Sequence, residues 1–295
     1  MNAITKILLI FIIAVFMNYS ASSASEPAGS PSEDERIRLI IRADDIGSSH
    51  AANRACIDAY VDGIARSVEI MVNCSWFPEA VEMLKDHPGY DVGVHLMLTS
   101  EWDMVKWRPL TWSPSLVDEN GYFYPMIWPN DNYPPERTLR GADWKLEEIE
   151  AELRAQIELA LKNIPRVSHL SSHMGFTSMD ERVAQLVKNL GVEYGLDIDP
   201  GDYGVRRMPG WRGATTLEEK IDRFIENLAA LEPGTWMFVE HPAYDEPEMR
   251  ATRHTGYNDV AIERDHVTRV FTSEKVKAFI EERGIELISY KDLTR

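Results

Sequence analysis

Four stretches of this 295-residue chain join an apolar run to acids or histidines. Residues 38–43 (RLIIRA) run into Asp44-Asp45, and residues 91–98 (DVGVHLML) carry His95. Residues 166–170 lead through His169 into Ser171-Ser172-His173, and residues 235–240 (TWMFVE) end at Glu240-His241-Pro242. Short apolar runs bounded by turn residues read as buried strands. In a parallel α/β barrel the C-terminal ends of the strands meet at one rim, where active sites lie. A rim that gathers Asp, His, His and His from separate strands suits a catalytic divalent ion, which takes a few N/O ligands and keeps one position for water. Each residue also has a plainer reading. Acids after a strand can cap the next helix, although Gly47 permits close backbone approach and two acids exceed one cap. His95, between Val94 and Leu96, could be a core histidine, and His241 before Pro242 could belong to a turn.

The elements that must position these residues follow from periodicity. Strands are expected at 38–43, 67–72, 91–98, 166–170, 194–198, 235–240 and 285–290. Helices are expected at 49–62, 77–85, 146–162, 181–190 (stopped by Gly191), 217–231 and 273–283. Strands alternating with helices at short spacing indicate an α/β fold with a parallel sheet. One closed or nearly closed (β/α) barrel of about seven strands, covering 37–295, fits better than two domains. The rhythm breaks between Thr99 and Trp144, where Trp102, Trp107, Trp112, Trp128 and Trp144 supply five of the eight tryptophans. A long irregular insertion in a compact domain is usually functional.

The N-terminus reads as an address. Lys6 precedes an apolar run at 7–17, and small residues follow at Ala21, Ser22, Ser23 and Ala24. This is the pattern of a cleavable secretory signal at 1–24, too short to span a bilayer, followed by a polar linker at 25–36. The expected location is periplasmic or extracellular, with no stable membrane insertion after cleavage. Lys plus Arg total 31 against 48 for Asp plus Glu, a formal net charge of -17, which argues against a nucleic-acid partner. Two cysteines, Cys56 and Cys74, are too few for a disulfide framework and read as buried thiols. Oligomeric state is not legible.

The segments IRADDIGSSHAANRACIDAYVDGIARSVEIMVN, DVGVHLMLTSEW, HLSSHMG and FVEHPAYD, in that order, resemble the motifs of the YdjC-like family. That family includes chitooligosaccharide deacetylases and belongs with the polysaccharide deacetylases. The resemblance runs from about Arg38 to the C-terminus. It implies a distorted (β/α) barrel and a divalent metal, zinc or magnesium among the candidates, held by Asp45, His95 and His173. It further implies Asp44 as catalytic base, His241 as the acid of the late His-Pro element, and Arg264 as a residue positioning base or substrate. Ser171 stands where the family usually has Asp, and Met174, Gly175 and Phe176 replace its later histidines. These departures bear on how His173 is held and on the substrate, not on the reaction type. His169 is expected to point into packing.

The activity these residues imply is metal-dependent removal of an N-acetyl group from an amino-sugar carbohydrate. The alternatives are an exported glycan-binding protein that has lost catalysis, or a metal-dependent hydrolase of another amide or ester. Trp102, Trp107 and Trp112 follow the His95 strand and so should overhang the rim. There, aromatic faces could stack on sugar rings, while the other aromatics pack the insertion.

Overall fold

The computed structural model describes residues 35–293, so the expected signal peptide and most of the expected linker lie outside them. Seven strands form one curled sheet: β1 (Ile37–Ile46), β2 (Ser67–Ile70), β3 (Asp91–Leu96), β4 (His169–Ser172), β5 (Arg206–Arg207), β6 (Gly234–Glu240) and β7 (Glu286–Ile288). Every ladder is parallel, in the order β4-β3-β2-β1-β6-β5, with β7 also against β1. β6 takes one edge of β1, while β7 and then β2 share the other edge in succession. β1 is therefore central, and its run of Leu39, Ile40, Ile41 and Ala43 is fully buried, as expected of a strand covered on both faces. Among the described residues no ladder joins β4 to β5, so the expected distorted barrel is open between those edges.

The helices are α1 (His50–Val61), α2 (Phe77–Lys85), α3 (Leu146–Asn163), α4 (Glu181–Tyr194), α5 (Leu217–Ala229), α6 (Val260–Phe271) and α7 (Glu274–Arg283). Local chemistry explains their ends. Ser49 caps α1 by accepting from Ala52 N, so neither Asp44 nor Asp45 is spent as its cap. Thr216 and Glu219 form a reciprocal capping box on α5. Among the described residues no helix is long and apolar enough to cross a membrane. Cys56 and Cys74 are buried free thiols.

Three elements depart from the expectations. Gly191 does not stop α4; the helix continues to Tyr194 and ends at Gly195, which is left-handed at φ 69°. The chain folds back past Gly191, where a Cβ would lie in ordinary contact with Leu196 O at 3.4 Å, so the glycine is neither a helix stop nor demanded by packing. The strand expected at 194–198 is accordingly absent, and only an isolated bridge joins Asp197 to His169. The seventh strand is instead the two-residue β5, too short to leave a pattern. Finally, α6 has no clear apolar stripe because Arg264, Asp265 and Thr268 are among its buried residues.

The 99–144 insertion carries only short 3-10 turns and isolated bridges, as expected. It is pinned to α3. The Glu152 carboxylate accepts from Leu110 N (3.1 Å), Thr111 N (2.9 Å) and Thr111 Oγ1 (2.7 Å). One turn on, the Gln156 amide bonds both the N–H and the C=O of Met97.

Candidate metal centre

In a regular strand Asp44 and Asp45 would face opposite sides. Here the β1–β2 register shifts between Ala43 and Ile46, and Asp45 takes φ 75°. A non-glycine residue held there costs about 1–3 kcal/mol, and such strain clusters at functional sites. The kink brings both carboxylates to one rim. Asp44 Oδ2 lies 3.8 Å and Asp45 Oδ1 3.6 Å from His95 Nε2. Gly47, at φ 99°, completes the turn; a Cβ there would sit 2.7 Å from Met71 O.

The β3–β4 ladder pairs His95 with Ser171 and Leu96 with Ser172, which places His173 just beyond the strand end. Three donor atoms then converge. His173 Nδ1 lies 3.6 Å from Asp45 Oδ1 and 3.4 Å from His95 Nε2, and all three residues are buried. Metal–ligand lengths of about 2.1 Å give a tetrahedral edge of roughly 3.4 Å, so the three spacings match one tetrahedral face. Asp45 Oδ1 is a buried oxygen with no hydrogen-bond partner. An orphaned buried acceptor facing two imidazole nitrogens is what a metal ligand set looks like without its ion. The group could therefore hold a metal.

The other atoms of these ligands are tied down, as metal ligands usually are. Arg264 Nη1 bonds Asp45 Oδ2 at 2.8 Å. Burial alone would raise the Asp45 pKa, but Arg264 and His241 outweigh it and hold the carboxyl well below its usual range. His173 Nε2 meets Glu101 Oε2 at 3.1 Å. Burial would lower His173, yet the charge of Glu101, its hydrogen bond to the ring and the nearby Asp45 carboxylate carry it to about 10. An ion bound here therefore displaces a proton. His95 Nδ1 lies 2.7 Å from Ser171 Oγ, and burial pushes this ring down to about 4, so it is neutral.

Asp44 is gripped from behind. Arg42 Nε and Nη2 each donate to it at 2.7 Å, and Arg42 Nη1 donates to Tyr290 Oη at 2.9 Å. Glu69, fully buried on β2, lies 2.7 Å from His169 Nε2 and hydrogen-bonds Ser171. Burial would raise Glu69, but His169 and Arg42 bring it to about 2. His169 packs as expected, stacked on Tyr290 with ring centroids 3.6 Å apart. His241 follows Glu240, which pairs with Ala43, so it stands beside Asp44 at the rim. Its side chain is 38% exposed, the most accessible of the candidate groups. Burial would lower its pKa, but Asp45 and Glu240 raise it above the ordinary histidine value.

The expected residues thus assemble, with three corrections. Ser171 touches His95 rather than His173. Trp102 and Trp107 border the site but are each only 4% exposed, so neither offers a face for a sugar. Trp102 is covered by His254 and by Arg264, and Trp107 meets His173 edge-on. Trp112 is 88% exposed. Arg264 spends its guanidinium on Asp45, not on Asp44, the expected base. Sequence reasoning missed Glu69 and Glu101. Each had a signal: a lone acid inside the apolar run SVEIMV, and a lone acid entering the insertion six residues after His95.

A groove of 370 Å³ is lined by Asn130, Asn132, Tyr133, His254 and, next in sequence to His173, Met174, among others. A larger hollow of 540 Å³ near Tyr60, Arg66 and His87 lies by the N-terminal ends of the strands, away from these groups.

Comparison with known proteins gives the relatives of this chain. A carbohydrate deacetylase 1 from Listeria innocua is 29% identical over 266 residues, covering 87% of this chain and 100% of that protein. A carbohydrate deacetylase from Brevibacillus brevis is 26% identical over 271 residues, with 87% and 100% covered. A crystal structure of an Enterococcus faecalis protein, described as a cellobiose-phosphate cleavage protein, superposes with a TM-score of 0.68 at 26% identity. That likeness covers 88% of this chain and 100% of the other. Residues 38–282 match the YdjC-like protein family, and the chain belongs to that family.

Proposed function

We propose that this protein is a carbohydrate deacetylase that hydrolyses the N-acetyl group of an amino sugar, releasing acetate. The observation that carries this reading is the orphaned Asp45 Oδ1 between His95 Nε2 and His173 Nδ1, with Asp44 and His241 flanking it. The names of the relatives supply the carbohydrate.

A divalent ion held by Asp45, His95 and His173 supplies Lewis acidity toward the amide carbonyl and the attacking water. Asp44 accepts the proton that water loses. Both its oxygens are bonded to Arg42, but each carboxylate oxygen has a further lone pair. Oδ2, the oxygen facing His95 Nε2, is the acceptor so placed. Arg42 holds that carboxylate to one orientation, and Tyr290 holds Arg42. His241 donates a proton to the amine nitrogen as the C–N bond breaks, because an unprotonated amine leaves poorly. Asp45 and Glu240 raise the His241 pKa above the ordinary histidine value, which favours the protonated form that donates. Arg264 fixes Asp45 and offsets its charge. The sugar rings reach the centre along the groove of Tyr133, Met174 and His254. Ser171, in place of the usual Asp, leaves the particular sugar to experiment. Zinc suits an Asp/His set, and magnesium is the competing ion.

We also propose export, on the strength of Lys6, the apolar run at 7–17 and the small residues through Ala24. Fractionation of producing cells tests it: export requires chain shortened by its N-terminus outside the cytoplasm, and full-length cytoplasmic chain contradicts it. Acetate release from N-acetylated chitooligosaccharides, peptidoglycan fragments and acetylated xylan, with and without chelator, tests the activity. Chelator-sensitive release from the amino sugars supports it. Release from xylan alone favours an esterase, and binding without release favours a glycan-binding protein.

A further inference from the structure

The two metal-facing histidines are supported differently. His173 meets a carboxylate directly, at Glu101. His95 meets a hydroxyl, Ser171 Oγ, and that hydroxyl donates to Glu69 Oε2. A serine hydroxyl has a single proton, and an ionised carboxylate can only accept. With that proton given to Glu69, Ser171 Oγ must accept from His95, so His95 carries its proton on Nδ1. Its Nε2 is then a bare lone pair directed at Asp45 and His173.

We infer that Glu69, acting through Ser171, is the residue that fixes the tautomer and orientation of His95 for metal binding. It is a positioning residue, one hydroxyl removed from the ligand, and this rests on reading Asp45, His95 and His173 as a metal site. The surroundings are built for it. Glu69 is fully buried in mid-strand, an expensive place for a charge without partners. His169 holds Oε1 at 2.7 Å, leaving Oε2 for Ser171. Arg42 stands 3.9 Å from Oε1. Gly93, facing this pair, has no room for a side chain: a Cβ would fall 2.4 Å from both Glu69 Oε2 and His169 Nε2. His169, Ser168 and Asp91 continue the chain of hydrogen bonds away from the site, which keeps Glu69 from turning.

The test is zinc affinity of the purified full chain, by chelator competition, with circular dichroism to check folding. Ser171→Ala and Glu69→Gln should each weaken zinc binding by about 10–100-fold, the usual effect of losing a ligand's outer partner. The S171A/E69Q double variant should be no weaker than the worse single variant, because both changes break one connection. Ser171→Thr keeps the hydroxyl and should retain affinity. The visible spectrum of cobalt-loaded protein should shift in Ser171→Ala but not in Ser171→Thr. Wild-type affinity in folded Ser171→Ala, additive losses in the double variant, or a Ser171→Thr loss as deep as that of Ser171→Ala each overturn the inference. If Glu69→Gln does not fold, the Ala and Thr variants of Ser171 decide the matter alone. Wild-type protein that binds no zinc or cobalt sinks the metal reading itself, a distinct failure.

Discussion

At the strand ends, Asp44, Asp45, His95 and His173 ride on parallel ladders and are buried, each with a partner fixing its unused atoms. Above them the 99–144 insertion has no ladder of its own and is tied to α3 by side chains such as Glu148 and Glu152. The floor is held by backbone pairing that no single side chain controls. The roof is held by scattered backbone turns and buried side chains such as Phe123 and Leu139, and it is tied to α3 by carboxylates that single substitutions can remove. Chemistry should therefore follow the floor, and substrate choice the roof.

Four substitutions can break or sharpen that contrast. The largest effect is expected from His173→Ala, which removes a ligand donor. Metal affinity should fall by more than the roughly 100-fold typical of an outer partner, and acetate release with it. Retained metal binding, read by equilibrium dialysis, would place the ion elsewhere. Next is His241→Ala. A general acid contributes about 10²–10⁴-fold, so kcat should drop by that order while metal affinity stays unchanged. The sign of the pH effect follows from the raised pKa. The acid form persists above the ordinary histidine value, so wild-type rate falls as pH climbs through the raised one. The variant should lack that alkaline limb, and a limb that survives assigns the proton to another group.

Glu101→Gln comes third, with about a 10–100-fold loss of metal affinity. It stands on the border of the comparison, being a roof residue that grips a floor ligand. An affinity equal to wild type would mean that the roof has no hold on the centre. The smallest expected effect is Glu152→Ala. It leaves the N–H groups of Leu110 and Thr111 without their acceptor, which costs about 1–3 kcal/mol. Faster proteolysis within 99–144 and a raised KM should accompany an unchanged metal affinity. Loss of metal in this variant would erase the distinction between floor and roof.

The floor was largely legible in sequence, and the reason is physical. Parallel strands buried on both faces leave continuous apolar runs, and the residues that end them stand out as acids or histidines. The Asp44-Asp45 pair, His95, His173 and His241 were visible in this way. Side-chain supports were not. Glu69 and Glu101 are single acids whose partners come from other strands, so no spacing links them to the ligands. The same cause hid α6, where Arg264 faces inward for Asp45 and breaks the apolar stripe. Gly191 misled because a glycine inside a helix looks like one that ends it; the left-handed end is Gly195, four residues on. In the roof, composition marked the insertion as functional but could not orient its rings. Trp102 and Trp107 proved to be walls, and the open groove is lined instead by Tyr133, Met174 and His254.

The most direct test of the account is acetate release from N-acetylated chitooligosaccharides by one protein preparation, as purified, after chelation and after reloading with zinc. Activity should disappear with the ion and return at one equivalent of zinc per chain. Full acetate release from the metal-free protein would contradict it.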